Sequence, residues 1–318
     1  MFSTSQNFRN TGYDVNAPYE KFKSETVLEY ALMYRQDDAK LLEMLLTAPG
    51  ADVNATPYDK GDLNWYHGQN VVHLICRGEI DASILPVAVK AGADVNKLDA
   101  DLRPPARHAI SSKNVEALRV LLENGADPKW IQTDSAGEVL GLGLVHYAVK
   151  SGNHDNLRLL IKFGAPIEGR RWGHNGDFEA IAPHGYGGGT PFIGYHDPLI
   201  ECVQFLRDGM YKNDKEAAQI LIDAGAKIDM DLQESRTRWF VKAKQLVKSP
   251  LDEDFDMLKF LLDKGLDPNL RQYEYRSDPA SFGDLGENLL YYANKLFNSK
   301  AEQLLRAHPK CDGKIHNY

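Results

Sequence analysis

The sequence has little cysteine, no long apolar run and no basic cluster. Only three of its 318 residues are cysteines. Because Cys76, Cys202 and Cys311 are odd in number and far apart, we expect reduced thiols. No apolar stretch approaches the roughly 18 residues of a membrane span, and the first residues do not join a basic region to an apolar one. These absences predict a cytoplasmic protein with neither a Sec-type signal nor a membrane partner.

Positive charge is also scarce. The chain carries 45 acidic and 37 basic side chains, for a net charge of -8. A protein with this balance has little overall attraction for phosphate backbones or anionic lipids. Because no run of Lys and Arg reverses the balance locally, nucleic acid is not an expected partner.

One pattern recurs along the chain: an apolar helical stripe that ends in glycine. It is clearest in residues 115–128, VEALRVLLENGADP, where Asn114 is a predicted N-cap and Gly125 suits the left-handed residue that closes a helix. The other copies are LLEMLLTAPGADVN (41–54), ILPVAVKAGADVN (84–96), LRLLIKFGAPIE (157–168), AAQILIDAGAKID (217–229) and DMLKFLLDKGLDPN (256–269). Six copies indicate a repeat protein.

The repeats vary in length, and each has a second signature upstream of its closing helix. The closing glycines are Gly50, Gly92, Gly125, Gly164, Gly225 and Gly265, so successive spacings are 42, 33, 39, 61 and 40 residues. The upstream segments are TVLEYA (26–31), NVVHLI (70–75), PPARHA (104–109), GLVHYA (143–148), DPLIEC (197–202), TRWFVK (237–242) and NLLYYA (288–293). Together they predict about seven helix pairs.

These segments resemble the ankyrin-repeat family, whose period is about 33 residues and whose first helix carries T-P-L-H-x-A. The resemblance covers roughly residues 25–306 and is most specific at the G-A-D-V-N endings, 50–54 and 92–96. The full signature occurs nowhere, and its histidine is kept only at His73 and His146. The resemblance implies an all-α solenoid of stacked antiparallel helix pairs with extended β-turn or finger-loop insertions.

The resulting division has a tail or cap at 1–24, a repeat domain at 25–309 and a mobile tail at 310–318. Aromatic residues in the first segment predict a cap over repeat one; they are Phe2, Phe8, Tyr13, Tyr19 and Phe22. The predicted repeats are 25–54, 70–96, 104–129, 143–168, 197–229, 237–269 and 288–309. Repeats five and six are predicted to have lengthened helices, because 197–225 and 237–265 exceed the corresponding part of repeat three.

Insertions separate the repeats at 55–69, 130–142, 169–196 and 270–287. The largest holds eight glycines, five aromatic residues and three histidines. Loops this long are usually functional or disordered, and this one is too aromatic to be typical of disorder. Aromatic and arginine side chains dominate binding energy at interfaces. The predicted partner-binding residues are therefore Trp65, Tyr66, Trp130, Arg170, Arg171, Trp172, Tyr186, Phe192, Tyr195, Tyr273 and Tyr275.

Catalytic and cofactor sites are weakly indicated. His73 and His146 are expected to fix the starts of their helices. His73 and Cys76 lie one helical turn apart, but the pair lacks the orienting side chain and the oxyanion hole that a nucleophilic catalytic site needs. The histidines at 174, 184 and 196 match no metal-ligand spacing. The string GYGGGT (185–190) lacks the lysine of a phosphate-binding loop. No catalytic residue, metal or cofactor is predicted.

The predicted function is therefore that of a monomeric, non-enzymatic module that binds another protein through its groove and finger loops. The alternative role for the insertions is to pack on one another and stiffen the solenoid. The irregular repeats also resemble ankyrin proteins that intracellular bacteria deliver into host cells, which implies a host-directed effector. Two other possibilities are a metal-dependent enzyme built in 169–196 and a substrate of an asparaginyl hydroxylase, modified at Asn54 or Asn96.

Overall fold

The computed structural model describes residues 14–17, 26–56, 68–133, 139–168, 170–172, 194–203, 213–231, 233–271 and 286–316. The chain divides into two compact units, Met1–Pro166 and Ile167–Tyr318. Stacked antiparallel helix pairs build each unit, which confirms the expected all-α repeat fold. Within the described helices, none has both the length and the apolar character needed to cross a membrane.

The described part of the first unit holds four helix pairs. They are α1 (Val27–Tyr34) with α2 (Ala39–Leu46), α3 (Val71–Arg77) with α4 (Leu85–Lys90), α5 (Pro105–Ser111) with α6 (Val115–Glu123), and α7 (Leu144–Ser151) with α8 (His154–Lys162). A 3₁₀ turn, Ala82–Ile84, leads into α4. From α3 onward each first helix packs on the next first helix, and from α2 onward each second helix packs on the next second helix.

The described part of the second unit holds three further pairs. They are α9 (Pro198–Glu201) with α10 (Lys215–Asp223), α11 (Gln233–Lys248) with α12 (Asp252–Asp263), and α13 (Leu289–Lys295) with α14 (Ser299–Ala307). The first helix α11 contacts both α9 and α13, so these pairs also stack.

Among the described residues, two pairs of antiparallel strands lie between helices. Strands β1 (Ile131–Thr133) and β2 (Val139–Gly143) lie between α6 and α7. Strands β3 (Arg170–Trp172) and β4 (Gly194–His196) precede α9 and pair antiparallel, with Arg170 opposite His196 and Trp172 opposite Gly194. Backbone pairing therefore holds the two ends of the longest insertion together.

Helix α6 begins and ends at the residues that the sequence indicates. The side chain of Asn114 accepts a hydrogen bond from the Ala117 N–H at 3.0 Å, which satisfies a free donor in the first turn of α6. Gly125 has φ +88°, and the N–H of the next residue, Ala126, donates back to the carbonyl of Leu121 at 2.9 Å. This is the glycine-closed helix end. The six closing glycines all have φ between +78° and +111°.

Asparagine side chains tie consecutive turns together. The Asn96 Nδ2 donates to the Gly125 carbonyl at 2.9 Å, while its Oδ1 accepts from the Asp127 N–H at 2.8 Å. Three other residues bridge to the following turn in the same way, and the four form what we call the asparagine ladder: Asn16, Asn54, Asn96 and Asn269. Lys129 occupies the equivalent turn position after Asp127, so the ladder is interrupted there.

We expect Asn96→Ala to lower the free energy of unfolding by about 1–2 kcal/mol. Two backbone groups lose their partners, and each net hydrogen bond contributes about 0.5–1.5 kcal/mol, less where water can replace it. Chemical denaturation of the full chain measures the change. Asn124→Ala is the control, because its amide donates only to Val120 in the same helix. Equal losses from the two variants would show that the ladder adds no specific stability.

Both ends of the chain join this ladder. Val15 is buried and Asn16 bonds to the turn of repeat one, so the described part of the N-terminal segment lies against that repeat. The five aromatic residues predicted to cap the repeat lie outside the described residues. At the other end, Asn269 bonds to Lys310 and Asp312, and Asn288 donates to the Lys314 carbonyl at 2.7 Å. The prediction of a mobile tail after Pro309 is therefore wrong for residues 310–316.

The lengthened helices occur in only one of the two predicted repeats. Helices α11 and α12 have 16 and 12 residues, against seven and nine in α5 and α6. Helix α9 has only four residues, so the prediction for repeat five is wrong. Its additional length lies between the helices, where the Asp214 N–H donates to the Cys202 carbonyl at 2.9 Å and joins the ends of the connection.

Candidate functional site

Trp130 is the predicted partner-binding residue whose side chain the structure describes. It directly precedes β1 and faces Tyr147 on α7, with ring centroids 6.4 Å apart. The Arg107 guanidinium, from α5, lies 3.5 Å from the centroid of the Tyr147 ring. Helix α5, the residue before β1 and helix α7 thus contribute one side chain each to an arginine–aromatic cluster, defined as Arg107, Trp130 and Tyr147.

The β1–β2 hairpin is held against α7, and this contact positions the cluster. The Tyr147 hydroxyl donates to the side-chain oxygen of Gln132 on β1. At the end of β2, the Gly143 N–H donates to Nδ1 of His146 at 3.0 Å. A Cβ at Gly143 would lie 3.3 Å from the Trp130 carbonyl oxygen, so glycine allows the strand to approach closely. Sequence composition identifies Trp130, whereas its arginine and tyrosine partners emerge only when α5, α7 and the hairpin are placed together.

The cluster combines charge with partial exposure. Arg107, Trp130 and Tyr147 are each half-buried. Burial lowers the pKa of Arg107, and Tyr147 opposes that shift. The guanidinium nevertheless stays protonated, because its ordinary pKa lies above 12. A cation over an aromatic face contributes about 0.5–2 kcal/mol, which holds Arg107 in place while leaving its donors near the surface.

A buried polar network lies beneath the turn before α5. The Asp99 carboxylate is 2.8 Å from Nε2 of His108 and also accepts from the Arg103 N–H at 2.9 Å. Burial opposes ionisation of Asp99, but these hydrogen bonds outweigh it and lower the pKa of the carboxyl. His73 accepts from the Asn70 N–H at 3.2 Å and donates to the Arg103 carbonyl at 3.3 Å. These hydrogen bonds therefore fix the turn that contains Asp99 and Arg103, together with the starts of α3 and α5.

The protonation states in this region favour a structural role. Burial, with a smaller effect of His108, lowers the pKa of His73 to about 4, so the imidazole is neutral at pH 7. Burial also raises the pKa of the Cys76 thiol, which disfavours the nucleophilic thiolate. The expected helix-start role of His73 and His146 is confirmed by their hydrogen bonds. No group of three or more metal-ligating side chains is found among the described residues.

The remaining predicted site residues are not brought into this cluster by the described structure. Arg170, Arg171 and Trp172 form β3, and Tyr195 in β4 lies opposite Arg171 in the backbone register. Six others lie outside the described residues: Trp65, Tyr66, Tyr186, Phe192, Tyr273 and Tyr275. Of the three histidines in 169–196, His174 and His184 also lie outside them.

An unusual apolar residue lies in the turn between α13 and α14. Phe297 is 93% exposed and has φ +56°. The same turn position holds Gly78 after α3 and Gly152 after α7, both of which adopt positive φ without a side-chain clash. A bulky side chain in this conformation is strained and gains no burial in return. Folding alone gives no reason for phenylalanine here.

We expect Phe297→Gly to leave the free energy of unfolding unchanged or to raise it by up to about 1 kcal/mol. Glycine relieves the backbone strain at positive φ, but it also raises the conformational entropy of the unfolded chain, which offsets part of the gain. Thermal and chemical unfolding measure the effect. Phe260→Ala in the neighbouring α12 is the matched control, since this ring is buried and its loss should cost about 3 kcal/mol or more. A loss above 1 kcal/mol for Phe297→Gly would show that the ring stabilises the fold.

The chain is similar to solved structures of other proteins. The crystal structure of the human ASB11 ankyrin repeat domain matches with 18% sequence identity and a TM-score of 0.47, over 77% of this chain and 89% of that one. The sequence matches no protein-family model and no curated protein.

Proposed function

We propose that this chain, whose stacked helix pairs are ankyrin repeats, is a module that binds a partner protein through its elongated turns and the adjacent first helices. Ankyrin repeats generally mediate contacts between proteins. The observation that carries the proposal is the arginine–aromatic cluster at the β1–β2 hairpin. Arginine, tryptophan and tyrosine are the residues most enriched where interface energy is concentrated.

The geometry of the cluster suits recognition. Its three side chains are half-buried, so they are held in place and still present surface to a partner. Ordering such side chains in advance reduces the entropy that binding would otherwise cost. Stiffening of the repeats by the insertions remains part of the proposal, because the Tyr147–Gln132 hydrogen bond ties the hairpin to its own repeat.

Several finer features of the proposal rest on the sequence alone. They are delivery into a host cell, a cytoplasmic location and a monomeric state. The metal-dependent alternative in 169–196 depends on side chains outside the described residues. The hydroxylase alternative meets a physical obstacle, since the amides of Asn54 and Asn96 each bridge to the next turn. An enzyme that requires an extended segment must first break those hydrogen bonds.

Affinity capture tests the proposed function. The full chain is immobilised and compared with the double variant Arg107→Ala/Trp130→Ala, and retained proteins are identified and then titrated after purification. We expect a stoichiometric partner whose affinity falls at least tenfold in the double variant, since loss of a single anchor worth about 1.4 kcal/mol suffices.

A second double variant, Arg119→Ala/Lys129→Ala, controls for lost surface contacts elsewhere in the same unit. Circular dichroism and thermal unfolding confirm that both variants remain folded. If the native chain retains no partner above the level of an unrelated repeat protein, the proposed function is wrong. If the native chain retains a partner that binds both double variants with the same affinity, the binding site is not at the arginine–aromatic cluster.

A further inference from the structure

The second unit presents lysines over aromatic rings on two neighbouring first helices. Nζ of Lys244 lies 4.0 Å from the ring centroid of Tyr292 and donates to its hydroxyl at 2.7 Å. Nζ of Lys248, one turn further along α11, lies 5.2 Å from the same ring. On α13, Lys295 donates to the hydroxyl of Tyr291 at 3.1 Å. We call these five residues the lysine–tyrosine face.

Positive charge accumulates at this face although the protein is acidic. Helix α11 contains five basic residues and one acidic residue, within a chain of net charge -8. Burial, and then the neighbouring Lys248, lowers the pKa of Lys244, as expected where cations are close together. Glu287 accepts from the Tyr292 hydroxyl and lies near Lys244, while Asp252, which lines a cavity together with Lys248, pairs with Lys300 at 2.7 Å. Among the described residues, none forms an ion pair with the exposed Lys248.

A cavity of mixed polar and apolar lining begins beside Lys248. Its volume is about 250 Å³, and it lies between the turn that joins α11 to α12 and the turn that joins α13 to α14. Leu246, Phe255 and Leu258 contribute to its lining. Exposed apolar side chains surround it: Leu251 at 51%, Leu296 at 46% and Phe297 at 93%. Sites for small molecules usually exceed about 300 Å³, so this cavity better suits a single apolar side chain.

We infer that the lysine–tyrosine face and the adjacent cavity bind an acidic polypeptide segment of the partner protein, with carboxylates on Lys244, Lys248 and Lys295 and one apolar side chain in the cavity. This inference rests on the proposed function and adds the chemical class of the partner. Charge complementarity selects an acidic ligand, and Lys248, which belongs to both features, makes them continuous.

A polypeptide fits the surface better than nucleic acid or a membrane does. The net charge of -8 disfavours extended polyanions most, so the local lysines suit a short acidic segment better than a long nucleic acid or an anionic membrane surface. Asp252 lines the cavity and pairs with Lys300 at 2.7 Å, so the carboxylates of the segment are assigned to the lysine–tyrosine face and not to the cavity. The part of the cavity lined by Leu246, Phe255 and Leu258 is complementary to a leucine or methionine side chain on that segment.

Fluorescence anisotropy with the full chain tests the inference. The probe is a short labelled peptide of Glu and Asp with one central Leu, and its matched control has Gln and Asn in place of the acids. We expect the acidic peptide to bind at least tenfold more tightly, with affinity falling as salt rises. Lys248→Glu/Lys295→Glu should weaken binding at least tenfold, whereas Lys227→Glu/Lys264→Glu, the same charge change on exposed lysines elsewhere in this unit, should not.

Three results would overturn the inference: no preference for the acidic peptide, equal weakening by the two double variants, or stronger binding of single-stranded DNA or phosphatidylserine vesicles at the same lysines. A Leu-to-Ser change in the peptide that leaves affinity unchanged would remove the cavity from the site. Failure here is distinguishable from failure of the proposed function. A captured partner that binds Lys248→Glu/Lys295→Glu with unchanged affinity leaves the proposed function intact and refutes this surface.

Discussion

Replacement of residues 173–193 by a two-residue Asn-Gly turn is expected to weaken partner binding by hundreds-fold while leaving the helices folded. Trp172 and Gly194 are opposite each other in the β3–β4 register, so a tight turn can connect them directly. The deletion removes Tyr186 and Phe192 from the predicted binding residues and retains both strands. No described helix residue or core leucine is altered.

The expected size follows from the two lost aromatic residues. Interface anchors of this type commonly contribute about 2 kcal/mol or more each, and about 1.4 kcal/mol corresponds to a factor of ten in affinity. Two anchors therefore correspond to a loss of several hundred-fold. Replacement of the whole insertion, residues 169–196, by a seven-residue ankyrin turn also removes Trp172 and Tyr195, so it should weaken binding further.

The stiffening hypothesis predicts the opposite pattern for these variants. If the insertion only supports the repeats, the melting temperature falls while the folded protein keeps its affinity. Removal of residues 134–138 from the other hairpin, with a two-residue turn between Thr133 and Val139, is the control for shortening an insertion. A 173–193 variant that retains both partner and affinity would end the assignment of the site to this insertion.

Substitution of Leu121 by Ala is expected to cost about 2–5 kcal/mol in the free energy of unfolding, because a fully buried leucine leaves a cavity when truncated. Leu121 lies on α6, in the interior of the first unit. Stability in repeat proteins is a sum of repeat and nearest-neighbour terms, so the damage should be greatest near the altered repeat. Hydrogen exchange should show loss of protection in α3 to α8 before α13 and α14.

Leu258→Ala on α12 is the matched control in the second unit. It removes the same atoms from an equally buried position and should produce the reverse order of protection loss. Uniform loss along the chain in both variants would show instead that the repeats unfold as one cooperative unit.

The sequence predicts the fold well because its signals are local. A capping asparagine, an apolar stripe and a closing glycine act within one helix, and Asn114, Leu121 and Gly125 all have their expected roles. A similar local signal lies near the N-terminus, where residues 12–16, GYDVN, match the G-A-D-V-N endings. The match is consistent with the Asn16 bridge to the next turn.

The candidate site was predicted only in part, because its contacts join residues far apart in the sequence. Trp130 stands out as an aromatic residue in an insertion. Arg107 and Tyr147 occupy ordinary first-helix positions, and only the packing of α5 on α7 brings them together. The lysine–tyrosine face arises similarly, from the packing of α11 against α13. Periodicity identifies buried positions but does not reveal which exposed side chains from neighbouring helices meet.

The asparagine ladder determines where the chain can be shortened. A fragment that ends before Lys310 would leave the Asn269 amide without its two partners and would remove the Lys314 carbonyl and the His316 N–H that bond the Asn288 amide. A fragment that begins after Asn16 would lose the bridge to Gly50 and Asp52. Each bridge runs from one turn to the next turn along the chain, so trimming near the N-terminus removes a bridging asparagine, while trimming near the C-terminus removes the backbone groups that an asparagine bonds. Fragment boundaries chosen at helix ends would therefore weaken the repeats they were meant to preserve.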